Sequence, residues 1–302
     1  MFGTKRLRSV VRNGIRKDSQ LDLTIRRFRR NKLAVIGLGI TLVYILVGAL
    51  GPMITPYNPT AIDVPNAYAA PTLAHPFGTD QLGRDLLSRV ILGAQISLKV
   101  ATASIGFATV AGLSLGLTAG YYRGIVDEVI MRIMDVLFAF PSILLALVII
   151  ATMGPGLDKA IIALAIVYTP IMARIARGSA ASVREEEYVM AARSYGEGSI
   201  GIMTRDVLPN MLAPVMVQAT ISFAFAILAE AALSYLGLGA QPPNPSWGII
   251  ITQGQQVMEQ APWVALFPGL AIMTTVMGLN FLGDGLRDAL DPKMEGEIEG
   301  RT

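Results

Sequence analysis

Cysteine is absent from the 302 residues and histidine occurs once, at His75. Without a thiol there is no disulfide, no thiolate nucleophile and no sulfur-ligated metal. With one imidazole, no HExxH zinc site, no His-based triad and no multi-histidine metal centre can be written. His75 precedes Pro76 with no second ligand beside it, so it reads as a turn residue rather than a metal ligand. No GxxxxGK[ST] occurs either, so the chain carries no recognisable phosphate loop for hydrolysing ATP. Charge is sparse as well. With 16% charged residues against 53% apolar and a mean hydropathy of +0.53, too little polar surface exists to cover a water-soluble globule. Lipid has to be the solvent.

What is present is a set of apolar runs of about 20 residues, the length that crosses a bilayer as a helix. Six are read: Leu33 to Gly51, Gln95 to Tyr121, Ile130 to Met153, Leu157 to Ala176, Met211 to Leu236 and Pro262 to Leu282. The expected fold is therefore an all-α polytopic membrane protein with six transmembrane helices. Residues 1–32 hold eleven Lys and Arg against two acids and end in Arg26, Arg27, Arg29, Arg30 and Lys32, too basic to enter lipid. The first run, 19 residues long, exceeds the core of about 7–15 residues in a signal peptide, so it reads as an uncleaved span.

Lys and Arg beside spans resist translocation, so their distribution orients the chain. With the N-terminus inside, 21 of the 25 fall on the cytoplasmic side, leaving Arg84, Arg89, Lys99 and Lys159 outside or at outer ends. This predicts cytoplasmic termini, with residues 1–32, 177–210 and 285–302 inside. Residues 52–94 and 237–261 lie outside, and 95–284 form the core. In the first outer segment a helix is expected from Gln81 onward. In the second, Gln241-Pro-Pro-Asn-Pro-Ser-Trp-Gly248 reads as a rigid turn.

Several residues stand out. Glu230 is the deepest acid, and burying a charge in hydrocarbon is costly. It either lines a path or lies near the outer end, snorkelling or bonding to neighbouring helix ends. Arg132 and Asp135, three apart at the inner end of the third span, are placed to pair on one helix face. That pair is structural or part of a path. Pro141, Pro170, Pro214 and Pro268 interrupt spans, which in transporters can mark bending helices. The segment with Asn244 and Trp247 is expected to be exposed, suiting either contact with a soluble protein or a rigid cap on the fifth and sixth spans.

The most informative segment lies between the fourth and fifth spans. There Tyr188, Ala191 and Ala192 sit on an expected short helix, Gly196 breaks it, a second short helix follows, and Leu208-Pro209 leads into the next span. A helix with a small-residue face can dock closely in a partner's groove. The spacing of Ala191-Ala192, Gly196 and Leu208-Pro209 resembles the coupling loop of bacterial ABC importer permeases, with Met190 and Asp206 as departures. The stretches His75 to Arg89, Glu230 to Gly248 and Gly283 to Pro292 resemble further signatures of the dipeptide, oligopeptide and nickel importer permeases. The likeness is to the second, DppC/OppC-type subunit, with Gln95 as a small departure.

The resemblance implies a type I ABC importer permease in the bacterial cytoplasmic membrane that translocates di- or oligopeptides by alternating access. Nickel, glutathione, opine or oligosaccharide cargo are alternatives within the same class. It implies a sister permease, two cytoplasmic ABC ATPases that bind ATP and Mg2+, and an extracytoplasmic solute-binding protein. This chain would contact lipid but no nucleic acid, and would itself bind no cofactor and perform no catalysis. A stand-alone secondary transporter would use Glu230 for a coupling ion, but no internal inverted repeat is visible. A membrane enzyme finds no paired carboxylate, serine-base or metal arrangement within the spans.

Overall fold

In a computed structural model the described residues are 20–290. They form helices α1 (Gln20–Arg30), α2 (Lys32–Ile54), α3 (Leu86–Tyr122), α4 (Gly124–Phe138), α5 (Ser142–Met153), α6 (Leu157–Val183), α7 (Glu187–Ser194), α8 (Ser199–Ile202), α9 (Leu208–Tyr235), α10 (Trp247–Gln255) and α11 (Trp263–Leu290). Among the described residues the only β pairing is an isolated bridge between Thr79 and Asp85. Five elements are long and apolar enough to cross a membrane, and the bent pair α4 and α5 makes up to six.

α2 shows why lipid is the solvent. Asn31 caps it, accepting from the Ala34 amide at 3.2 Å, and the Leu, Ile and Val run that follows gives no polar face. Its buried residues Ala34, Gly37, Thr41, Gly48 and Gly51 form one thin stripe. Leu33, Val35, Ile36, Leu42, Val43 and Leu46 are exposed, which hydrocarbon tolerates and water does not. At 37 residues α3 is about 55 Å long against a hydrocarbon core of about 30 Å, so it projects beyond the core.

The third span, expected over Ile130 to Met153 with an interruption at Pro141, is two helices. α4 and α5 meet at 90° across Ala139-Phe140-Pro141. Proline has no N–H to continue the ladder, and it pushes the residue before it out of the helical region. Pro170, Pro214 and Pro268 instead lie inside continuous helices. Of the four prolines, only Pro141 coincides with a break.

The bundle is centred on α3, which packs along α6 and also touches α2 and α9. One end, called lower here, carries Arg123, the segment 184–207 and the close of α11. The upper end carries residues 55–85 and 236–262.

Candidate functional site

At the lower end α7 buries a single side chain, Val189. Gly196 stands at φ +83°, a conformation that favours glycine. The Gly196 amide donates to the Arg193 carbonyl at 3.1 Å and the Glu197 amide to the Ala192 carbonyl at 3.2 Å. These two bonds are a Schellman closure, the physical reason α7 stops there. The second limb begins with α8 and runs through a π-helical turn, Met203–Val207, directly into α9. Pro209 sits in the first turn of α9, where its missing N–H falls at the change from the π-helical turn to the α-helix.

Val189, Ile202 and Val207 join Leu117 and Tyr121 of α3, Ala176 and Ala180 of α6, and Met211 and Val215 of α9 in one buried cluster. The segment is thus bolted to three spans. Its outer surface is apolar without cover: Tyr188, Met190, Tyr195 and Ile200 are 45%, 48%, 91% and 75% exposed. Ala191 is exposed, Ala192 and Leu208 half-buried, and Pro209 exposed. Partial burial, then the Glu186 and Asp206 carboxylates, hold the Tyr188 phenol above its ordinary range. Asp206 keeps one buried oxygen, Oδ2, without a hydrogen-bond partner.

Arg132 and Asp135 do not pair, contrary to the helix-face expectation. Asp135 Oδ1 accepts from Arg174 of α6 at 2.9 Å, while Arg132, largely exposed, approaches only Glu128, at 3.9 Å. The neighbouring helix wins because Arg174 is already held over the Phe138 ring, 4.2 Å from its centroid. A second tie, invisible in the sequence, is bidentate: Arg177 donates to both oxygens of Asp127 at 2.5 Å each.

Glu230 is fully buried. Its Oε2 accepts from Ser97 of α3 and its Oε1 from Ser234, both at 2.7 Å, and Ser234 in turn accepts from the Ala240 amide at 3.1 Å. The acid does not snorkel but is sealed between these hydroxyls. Removing it leaves buried hydroxyls without an acceptor, so Glu230→Ala is expected to destabilise the protein by about 1–3 kcal/mol. Glu230→Gln, which keeps an acceptor, should cost less. Thermal unfolding in detergent checks both, and an Ala variant as stable as the parent would refute the structural role.

Trp247 corrects a second expectation, because its side chain is 0% exposed. Its Nε1 donates to the Val90 carbonyl at 3.0 Å, and Tyr44 meets it edge-on at 5.8 Å. The rigid turn ends sooner than expected: Gln241 to Asn244 are exposed, while Ser246 caps α10 by accepting from the Ile249 amide at 3.3 Å. Its named contacts lie on α2 and α3, so this buried ring ties the first two long spans together instead of being exposed for contact with a soluble protein.

The upper-end stretch His75 to Arg89 is a polar knot rather than a helix from Gln81, since α3 starts only at Leu86. Gly83 turns the chain at φ +72°. Asp80 accepts from Arg84 Nε at 2.7 Å, with Arg89 Nε 3.2 Å away. Asp85 caps α3 through Ser88, and its other oxygen lies 2.9 Å from His75 Nδ1. No cluster of three metal-ligating side chains exists among the described residues.

This architecture has counterparts among known proteins. The family of binding-protein-dependent transport system inner membrane components matches residues 112–296, and the N-terminal TM domain of oligopeptide transport permease C matches 19–71. This chain belongs to that permease family. It is 47% identical over 270 residues to the dipeptide transport system permease protein DppC of Alkalihalophilus pseudofirmus, covering 89% of each chain. It is 44% identical over 272 residues to the glutathione transport system permease protein GsiD of Escherichia coli, covering 90% of each. A chain of the inward-facing methionine ABC transporter MetNI shares the fold, with a TM-score of 0.55 at 23% identity over 68% of this chain and 97% of that one. Members are multi-pass inner membrane transport permeases rather than enzymes, and the family implies ATPase and substrate-binding partners.

In this permease two cavities run along α6 and α9. One, of about 530 Å³, is lined by Ser142, Tyr168, Ser222 and Phe225 among others. The other, of about 630 Å³, opens toward the lower end beside Asn210 and Arg287. Gln218 lines both. Sequence reading passed over Gln218 and Ser222, although two polar residues four apart in an apolar span were a visible signal.

Proposed function

We propose that the permease is the second, DppC/OppC-type membrane subunit of a bacterial peptide importer, working with a sister permease, two cytoplasmic ABC ATPases and an extracytoplasmic solute-binding protein. Both termini and the lower end face the cytoplasm, an orientation supported by the 21 of 25 Lys and Arg on that side. ATP and Mg2+ belong to the partner ATPases and none to this chain. Closure of the ATPases would push on residues 177–210 and rock the bundle between inward-open and outward-open states. Dipeptide and glutathione relatives support a short-peptide cargo, since glutathione is itself a tripeptide.

One observation carries the reading. Val189, Ile202 and Val207 are locked into α3, α6 and α9 while Tyr188, Met190, Tyr195 and Ile200 stay uncovered. A force on the uncovered face therefore reaches three spans at once. A cysteine placed at Ala191 or Tyr195 would be the only thiol of this chain. In the assembled complex, either one is expected to cross-link to an ATPase subunit with a short bifunctional reagent. Gly196 is less suitable because its positive φ strains any other residue. An intact complex that gives no cross-link at either position removes the coupling role.

A further inference from the structure

We propose that the open face of α9, with Gln218 and Ser222 at its waist, is this chain's share of the substrate route, and that it engages the main-chain amide of a passing peptide. The inference rests on the peptide-importer reading above and concerns residues that reading leaves unassigned.

Gln218, Ser222, Phe225, Ala229 and Ala232 follow one another at steps of four and three, so they form one stripe along α9. Ile227, Glu230 and Ser234, spaced three and four apart, turn away from it and are buried; within the stripe Gln218 is half-buried and Ser222, 2% exposed, lies beneath it. The stripe faces the upper cavity between the bent pair α4 and α5 and the helix α6, and Gln218 joins this cavity to the lower one. Ser222 lies fourteen residues into α9, about 21 Å along the helix and near its midpoint. The route therefore passes the depth at which an unsatisfied polar group is most costly in lipid.

The chemistry there is specific. Gln218 Nε2 donates to Ser222 Oγ at 3.1 Å, and among the described residues its carbonyl oxygen accepts no hydrogen bond. Against hydrocarbon such an oxygen would be a standing penalty; against water or a polar solute it is a binding group. A carboxamide offers the same donor and acceptor pair as a peptide bond, so it matches any peptide main chain whatever the side chains. No Asp, Glu, Lys or Arg lines the upper cavity, and Glu230 is sealed off by Ser97 and Ser234. A passing charged side chain thus meets no fixed partner to trap it. The first charge it reaches is Arg287, in the lower cavity.

Because the chain has no cysteine, Gln218→Cys and Ser222→Cys can be read singly in the complex assembled with its partner subunits in liposomes. Met216→Cys, exposed on another side of α9, serves as comparison. Gln218→Cys is expected to react with a cationic, water-soluble methanethiosulfonate, and Ser222→Cys to react more slowly because Gln218 covers it; alanyl-alanine supplied with the binding protein and ATP should slow both reactions. Met216→Cys should react only with a lipid-soluble maleimide. Gln218→Leu should lose alanyl-alanine import several-fold while ATP hydrolysis persists, with Gln218→Asn retaining more. Labelling of both route positions by the lipid-soluble reagent alone, or by neither reagent because a neighbouring subunit seals the face, overturns the route even in a complex that imports the dipeptide. Water-soluble labelling in a complex that imports no dipeptide overturns the peptide-amide assignment, and with it the cargo reading.

Discussion

Gly116→Leu is expected to abolish accumulation of the permease in the membrane. Gly112, Gly116 and Gly120 recur every fourth residue on α3 and lie against α6. A Cβ added at Gly116 would stand 2.6 Å from the Ala176 Cβ and 2.8 Å from the Arg177 amide nitrogen, and would collide with the Ala173 carbonyl. Two of these three neighbours are backbone and the third is itself a Cβ, so no side chain can swing aside. Lipid supplies no hydrophobic force to hold helices together, and close backbone approach through small residues is what replaces it. Forcing the helices apart also opens the buried Ala173, Ala176 and Ala180 stripe, so the penalty should exceed the roughly 1–3 kcal/mol of ordinary overpacking. Gly106→Leu, on the same helix but with nothing within 4 Å of its Cβ, should accumulate normally. Immunoblotting of membrane fractions and size-exclusion profiles make the comparison, and equal yields of the two variants would show that α3 and α6 are free to separate.

Trp247→Ala should be the next most damaging change. The indole touches three elements: its Nε1 bonds the Val90 carbonyl of α3, its edge meets Tyr44 of α2, and it lies at the start of α10. Gly93 admits it, since a Cβ there would stand 2.9 Å from the indole Cδ1. Truncating a buried tryptophan costs about 3–5 kcal/mol, and here it also removes the Nε1 hydrogen bond to Val90. Trp247→Phe should recover part of this loss, because one aromatic ring refills much of the space while the N–H and the rest of the indole are lost. The unfolding midpoint in detergent distinguishes the two, whereas a residue that merely contacted a binding protein would leave that midpoint unchanged.

Both predictions concern contacts that the sequence hides. The long apolar runs and the one-sided Lys and Arg were readable because bilayer thickness and charge translocation act on residues one at a time, without reference to neighbours. Gly196 and Leu208-Pro209 were readable for a similar reason, since a left-handed glycine and a first-turn proline act on local backbone. Trp247 looked exposed because a proline-rich turn precedes it, and the turn says nothing of the gap between α2 and α3 that the ring fills. Arg132 and Asp135 had the spacing of a pair, but α6 brought Arg174 to Asp135 instead, and a contact across 39 residues leaves no periodicity to detect.

Charge in the spans divides the same way. The sequence marked Glu230 as costly, and it is, but only the approach of Ser97 from α3, 133 positions away, shows how that cost is met. Gln218, half-buried at the cavity wall, and Ser222, buried beneath it, drew no notice because they carry no charge.

The six apolar runs with which a membrane protein announces itself were thus determined by the chain alone, one run at a time, as was the place where the lower segment turns. The tertiary structure decided the rest: that the third run folds into two helices at 90°, and which polar groups are sealed and which line the groove. Each of those outcomes depends on the distance between residues far apart in the chain, a quantity set by packing.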